Sequence, residues 1–307
     1  MKTLFITGGA GFIGSNYLNT NVLAYPDITF VNIDILTYAG KLENITVSEA
    51  VNYQFEPVDI TDASALENLF IKYAPAGIIN FAAESNVDKS IENPDAFIQT
   101  NVSGTNNLLR LAVKYGVERY HQISTDEVYG SLGLTEAAFT ELTPLSPNNP
   151  YSASKAAADL LVRSYHKTFG LDTVITRCSN NFGPNQDDSK LIPRFIQKLK
   201  AGEKVPLYGD GSQRRDWLHV SDHVAAIDLV FNNGRAGEVY NVGSDNDMSN
   251  LTVVKILLAH TGRNEDAIEY VADRLGHDFR YAIDASKITT ALGWSPKISF
   301  AEGIRSL

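Results

Sequence analysis

The chain has 307 residues, 44% hydrophobic and 20% charged, with a formal net charge of −10. That balance excludes a disordered chain, and the acidic excess argues against nucleic acid as a partner, because phosphate backbones select basic faces. No run of eighteen apolar residues occurs, so no transmembrane helix and no membrane partner are expected. Cys178 is the only cysteine, which excludes an intrachain disulfide and a cysteine-based metal site; no metal is expected, and a cytoplasmic location is the default.

In chain order, residues 3–7 open with a short apolar run that leads straight into glycines, the pattern of a strand and not of a signal peptide. Further strands are predicted at 29–33, 53–57, 77–81, 120–124 and 173–177, separated by helical patterns such as 94–115 and 152–169. Several strands are near-continuously apolar, as in Ile78-Ile79-Asn80-Phe81, which fits parallel strands buried on both faces. Alternating β and α units predict an α/β fold with a doubly wound parallel sheet of the Rossmann type over residues 1–177. After Arg177 the strands become short and scattered, at 205–208, 217–219, 238–242 and 268–271. Residues 178–307 are therefore read as a smaller mixed lobe, with 217–242 a candidate to rejoin the main sheet.

The first strand ends in Thr7-Gly8-Gly9-Ala10-Gly11-Phe12-Ile13-Gly14, with Gly8, Gly11 and Gly14 at three-residue spacing. Between a strand and a helix, such glycines permit a tight turn, close approach of backbone N–H groups to a pyrophosphate, and packing of helix on strand. Asp34 ends the second strand, twenty residues after Gly14. A carboxylate there accepts hydrogen bonds from a ribose diol and repels an extra phosphate, so NAD is predicted over NADP. Asp59 and Ile60, after the third strand, are candidates to hold the adenine.

Tyr151 and Lys155 are four residues apart and share a helix face. An ammonium near a phenol lowers its pKa, which would let Tyr151 act as a base near neutral pH. Ser124-Thr125-Asp126-Glu127-Val128-Tyr129-Gly130 ends the fifth strand, where function concentrates in open α/β sheets. Asp126 and Glu127 are adjacent carboxyls whose pKa values should split, leaving one as an acid and one as a base. Elimination of water needs such a pair; a simple oxidation does not.

Together these residues resemble the extended short-chain dehydrogenases that act on nucleotide sugars, and within them the dTDP-glucose 4,6-dehydratases. The more specific stretches are residues 34–40, 82–85, 124–130, 177–181, 215–217 and 273–278. The resemblance implies a lyase (hydro-lyase) that binds NAD in residues 1–177 and a nucleotide sugar, dTDP-glucose foremost, in residues 178–307. It implies that Tyr151 takes the sugar 4-hydroxyl proton, that Glu127 takes the C5 proton, that Asp126 protonates the departing 6-hydroxyl, and that Thr125 and Lys155 assist. Cofactor contacts are implied for Gly8, Gly11, Phe12, Ile13, Gly14, Asp34, Ile35, Leu36, Thr37, Asp59, Ile60, Phe81, Ala82, Ala83, Ser85, Thr100, Tyr151, Lys155 and Asn181. Substrate contacts are implied for Ser85, Thr125, Asn180, Lys190, Leu191, Pro206, Tyr208, Arg215, Asn250, Arg274 and His277. A homodimer built on helices 94–115 and 152–169 is implied as well. Asn86, Lys89, Phe182 and Leu275 depart from the family's usual residues. A UDP-glucuronate decarboxylase, a sugar-nucleotide 4-epimerase and a non-catalytic NAD-sensing protein are the competing readings. The first two need no acid–base pair, and the third predicts a broken Tyr-Lys motif, which is intact here.

Overall fold

The computed structural model describes residues 2–273 and 278–307; the expected contacts of Arg274 and His277 lie outside the described residues. In chain order the strands and α-helices are β1 (Lys2–Thr7), α1 (Phe12–Ala24), β2 (Ile28–Ile33), β3 (Tyr53–Glu56), α2 (Ala63–Tyr73), β4 (Gly77–Asn80), α3 (Val87–Glu92), α4 (Pro94–Phe97), α5 (Thr105–Lys114), β5 (Arg119–Thr125), α6 (Pro150–Phe169), β6 (Thr173–Cys178), β7 (Asn180–Phe182), α7 (Leu191–Lys200), β8 (Val205–Tyr208), β9 (Arg214–His219), α8 (Val220–Asn233), β10 (Val239–Val242), β11 (Asp247–Ser249), α9 (Asn250–Thr261), β12 (Ile268–Val271), α10 (Ser286–Leu292) and α11 (Phe300–Arg305).

Seven strands form one sheet in the order β10-β6-β5-β4-β1-β2-β3, every pair parallel. The strand order reverses between β1 and β4, which opens a crevice at their carboxyl ends. Alternate residues of a strand feed opposite layers. Phe5 and Ile78 pack with Leu108 and Leu109 on one side, and Ile6 and Ile79 pack with Leu18 and Val224 on the other. Burying each such side chain contributes about 1.5–3 kcal/mol, so the doubly covered centre of the sheet is its firmest part. The seventh strand comes from the C-terminal half: Val239–Val242 pairs with β6 in the register Val239↔Ile175.

The smaller lobe holds a three-stranded sheet, β11-β9-β7, and the parallel pair β12-β8. Its core packs Phe182, Trp217, Leu257 and Phe300 together. β7 and β11 were not predicted. Each has three residues, too few for a period-2 signal.

Two local features place site residues. The predicted helix 94–115 is interrupted by a π-helical stretch, Ile98–Gly104, between α4 and α5. Gly104 there lies so near Ile60 that a Cβ would stand 2.6 Å from its side chain. α6 starts with Pro150 in its first turn, behind an Asn149–Ser152 capping box, and stops at Gly170 with φ 70°. Tyr151 is thereby held in the first turn of a rigid twenty-residue helix.

Phe182 is fully buried and meets the rings of Trp217, His219 and Phe300. Phe182→Ala should lower stability by about 3–5 kcal/mol, read as a fall in the urea-unfolding midpoint. An unchanged midpoint would show that this cluster is not a stabilising core.

Candidate active site

The carboxyl ends of β1, β4 and β5 open into a cleft of about 250 Å3. Its floor is the glycine loop. Gly8 takes φ 67° and donates its N–H to Ile33 O at 2.8 Å. A Cβ at Gly8 would stand 2.6 Å from the Ala82 nitrogen, and one at Gly14 would stand 2.4 Å from Gly8 O. No side chain fits either place. Gly11 precedes α1 and directs that helix's N-terminus at the cleft. The Asp34 carboxylate braces the loop, accepting from Ala10 N at 3.0 Å and Leu36 N at 2.8 Å. Burial raises its pKa and these two bonds oppose the rise. Each oxygen keeps a lone pair for a hydroxyl of a bound ligand.

Seventeen residues expected at the cofactor line this cleft: Gly8, Gly11, Phe12, Ile13, Gly14, Asp34, Ile35, Thr37, Asp59, Ile60, Phe81, Ala82, Ala83, Ser85, Thr100, Tyr151 and Lys155. Leu36 and Asn181 are not in the lining. Leu36 sits at φ 56° beside it, and Asn181 on β7 donates to Ser179 O at 2.9 Å and pairs with His223 Nδ1 at 2.9 Å. Sequence reasoning missed Val58, Ser124, Cys178, Gln186 and Asp187 as lining residues. Gln186 and Asp187 arrive from a loop remote in sequence, where no local pattern marks them.

The acid pair follows Ser124, which lines this cleft; Thr125, Asp126 and Glu127 are not themselves in the lining. Thr125 caps the short 3-10 turn Asp126–Tyr129, its Oγ1 accepting from Glu127 N at 3.3 Å and donating to Asp126 Oδ1 at 3.3 Å. Asp126 is 1% exposed, and its Oδ2 has no hydrogen-bond partner among the described residues. Burial holds the Asp126 carboxyl well above the usual carboxylate range; Glu127 and Asp216 add to this, while Arg215 and Thr125 oppose it. That shift favours the neutral, proton-bearing form of Asp126. Tyr151 is hydrogen-bonded to Thr125, so one hydroxyl links the base candidate to the acid turn.

One expectation is corrected. Lys155 was expected to lower the Tyr151 pKa. Instead burial raises it well above 10, and Glu127, Cys178 and Asp126 raise it further. Lys155 is itself buried and donates to Ile123 O at 2.7 Å. Burial also pulls the Lys155 pKa down, which Asp159 and Cys178 oppose.

Of the expected substrate residues, Ser85 and Lys190 line the cleft and touch, Lys190 Nζ donating to Ser85 O at 3.1 Å. Leu191 begins α7. Asn180, on β7, has a buried Oδ1 with no partner among the described residues. Pro206 and Tyr208 lie on β8, and Asn250 opens α9. Arg215, on β9, is 6% exposed, donates to Arg214 O and Asp278 O, and lies 4.2 Å from the Tyr281 ring centroid. Asn86 caps α3 by accepting from Lys89 N at 3.0 Å, and Lys89 Nζ sits 3.4 Å from the Tyr38 ring centroid beside the cleft.

A family model described as GDP-mannose 4,6 dehydratase matches residues 5–307. The chain belongs to this family. The low-salt glycan biosynthesis protein Agl12 of Haloferax volcanii is 50% identical to it over 305 residues, which covers 99% of this chain and 96% of the relative. DesIV, a dTDP-glucose 4,6-dehydratase of Streptomyces venezuelae solved with NAD and TYD bound, has a TM-score of 0.95 at 46% identity and covers 99% of this chain and 95% of its own. The UDP-glucose 4-epimerase TM0509 of Thermotoga maritima, solved with UDP-glucose, has a TM-score of 0.92 at 30% identity over 100% of this chain and 97% of its own. Dehydratase and epimerase share this fold, so the side chains of the site have to separate them.

The raised Asp126 pKa has a stability consequence. A carboxyl whose folded pKa lies above its unfolded value of about 3.9 contributes stability that is full below that value and lost as pH rises toward the folded pKa. Asp126→Asn removes the titration. The variant should therefore outlast the wild type in Tm at about pH 7, with the gap closing toward about pH 4. Parallel Tm–pH curves for the two proteins would refute a buried, raised Asp126.

Proposed function

We propose that this chain is an NAD-dependent hydro-lyase, a 4,6-dehydratase that converts a nucleoside-diphosphate glucose, dTDP-glucose, to its 4-keto-6-deoxy product. The observation that carries the reading is Asp126: buried, pushed toward its neutral form, adjacent to Glu127, and joined to Tyr151 through Thr125. An epimerase needs no proton donor at this place, and no described residue of the site favours that alternative.

The residues fit the cofactor. The loop at Gly8 and Gly14 leaves backbone where a pyrophosphate would lie, and Asp34 retains acceptors for a ribose diol. Held by the glycine loop and Asp34, NAD would supply the redox chemistry, as acceptor and later donor of the hydride that moves from C4 to C6. Tyr151 takes the proton of the 4-hydroxyl, with Thr125 sharing its hydrogen bond. Lys155 braces α6 against Ile123 O. Once C4 is a ketone, the C5 proton is acidic, and Glu127 removes it. Asp126 gives its proton to the 6-hydroxyl as it leaves as water, and Glu127 returns the proton to C5 when C6 gains the hydride. Lys190 and Arg215 supply positive charge for the diphosphate, Arg215 with the fork geometry that suits phosphate oxygens. The family membership and the NAD-bound dehydratase neighbour support the same reading.

No described helix is long and apolar enough to cross a membrane. We place the enzyme in the cytoplasm, where its single buried thiol stays reduced. Exposed Ile98, Val113, Leu160 and Phe169 on the π-helical stretch, α5 and α6 support a homodimer.

Incubation with dTDP-glucose, without added NAD, should yield a product lighter by one water on mass spectrometry. An unchanged mass would refute the dehydratase reading. Asp126→Asn combined with Glu127→Gln should slow water loss by about 100-fold or more while some C4 oxidation persists, and Tyr151→Phe should suppress the oxidation itself. Dehydration at the wild-type rate in either variant would remove that residue's role. Equilibrium sedimentation should give twice the chain mass; a monomer at micromolar concentration would exclude the dimer.

A further inference from the structure

Tyr151 and Lys155 line the cleft from α6, and the turn that carries Asp126 and Glu127 begins two residues after Ser124, a lining residue at the end of β5. Behind the cleft a buried polar chain joins them. Arg177, on β6, donates from Nε to Asp159 Oδ2 at 2.9 Å and from Nη1 to the Tyr129 hydroxyl at 3.0 Å. Its guanidinium also lies 4.9 Å from the Tyr129 ring centroid. The Tyr129 hydroxyl donates onward to Asn241 Oδ1 on β10 at 2.7 Å, and Asn241 Nδ2 donates to Phe139 O at 3.0 Å. Arg177, Asp159, Tyr129 and Asn241 are all buried. Burial pushes the Tyr129 phenol up to about 12, so it remains a hydrogen-bond donor.

The position of this chain matters more than its strength. Asp159 follows Lys155 by one helical turn and Tyr151 by two, on the same face of α6. Tyr129 closes the 3-10 turn two residues after Glu127. β6 pairs with β5 in the register Ser124↔Arg177, so the guanidinium starts from the strand beside the acid turn. A buried ion pair contributes little net stability over apolar packing of equal volume, whereas the planar guanidinium imposes fixed directions on its partners.

We propose that Arg177 is a positioning residue that holds the Asp126–Glu127 turn in register with the Tyr151–Lys155 helix, through Tyr129 on one side and Asp159 on the other. Its catalytic consequence rests on the dehydratase reading above; its structural consequence does not.

The test uses Tyr129→Phe, which keeps the ring and the Arg177–Asp159 pair and removes the hydroxyl's bonds to Arg177 and Asn241, with Arg177→Lys, which leaves the Tyr129–Asn241 bond in place, as the second variant. Amide hydrogen exchange of the purified holoenzyme should quicken by about tenfold at residues 126–130 while β1 and β4 stay protected. With dTDP-glucose, kcat for water loss should fall by about tenfold or more at a KM within about twofold of wild type. The absorbance of the reduced cofactor should then build up during turnover, because oxidation at C4 outpaces elimination. Unchanged exchange at 126–130 in both variants overturns the proposal, as does a loss of kcat with no such build-up. Should the wild type not dehydrate dTDP-glucose at all, the functional reading fails, and faster exchange at 126–130 still supports the positioning role.

Discussion

Backbone passes so close to backbone at the first turn that position 8 has no room for a side chain: a Cβ there would stand 2.6 Å from the Ala82 nitrogen. This contact fixes the distance between the ends of β1 and β4, the two strands between which the sheet order reverses. Everything in the cleft is measured from it. The N-terminus of α1 aims at the gap because Gly14 can lie against Gly8 O, and Asp34 reaches the loop because the Gly8 N–H is bound to the end of β2. Ala82 to Ser85 form the facing wall only because β4 is drawn up to the loop.

On that frame the site concentrates groups that water would normally keep apart. Glu127 raises the pKa values of Asp126, Tyr151 and Cys178, Lys155 and Cys178 act on each other, and burial is the largest cause of shift for Asp126, Tyr151, Lys155 and Cys178. Burial favours the neutral form of each group. Asp126 and Tyr151 are both pushed toward their neutral, proton-bearing forms. This arrangement suits a donor more directly than a base, and it places the demand for positive charge on what enters the cleft.

Much of the fold was legible in the sequence because the main sheet is built from apolar runs bounded by turns. Residues 3–7, 29–33 and 77–81 needed only their composition to be read as strands. The glycine loop, Asp34 and the Tyr-Lys pair, all of which line the cleft, were legible because each carries its chemistry within a few adjacent residues. β7 and β11 were not, being too short to show a period. The lining by Gln186 and Asp187 was hidden because their loop meets the cleft through tertiary packing alone. The Tyr151 pKa was misjudged for a related reason: spacing shows that Lys155 is near, but only the packed structure shows that burial and two carboxyls outweigh it.

The origin of β10 has a consequence for biosynthesis. Residues 2–178 contain six strands of the main sheet, yet the outer edge of β6 is covered only by Val239–Val242. While the ribosome is making the intervening sixty or so residues, the nascent chain displays an unpaired parallel edge carrying Val174 and Cys178. Such an edge invites pairing with neighbouring chains. The C-terminal half thus serves as a late seal on the N-terminal sheet, and synthesis that stops before residue 239 would leave that edge open.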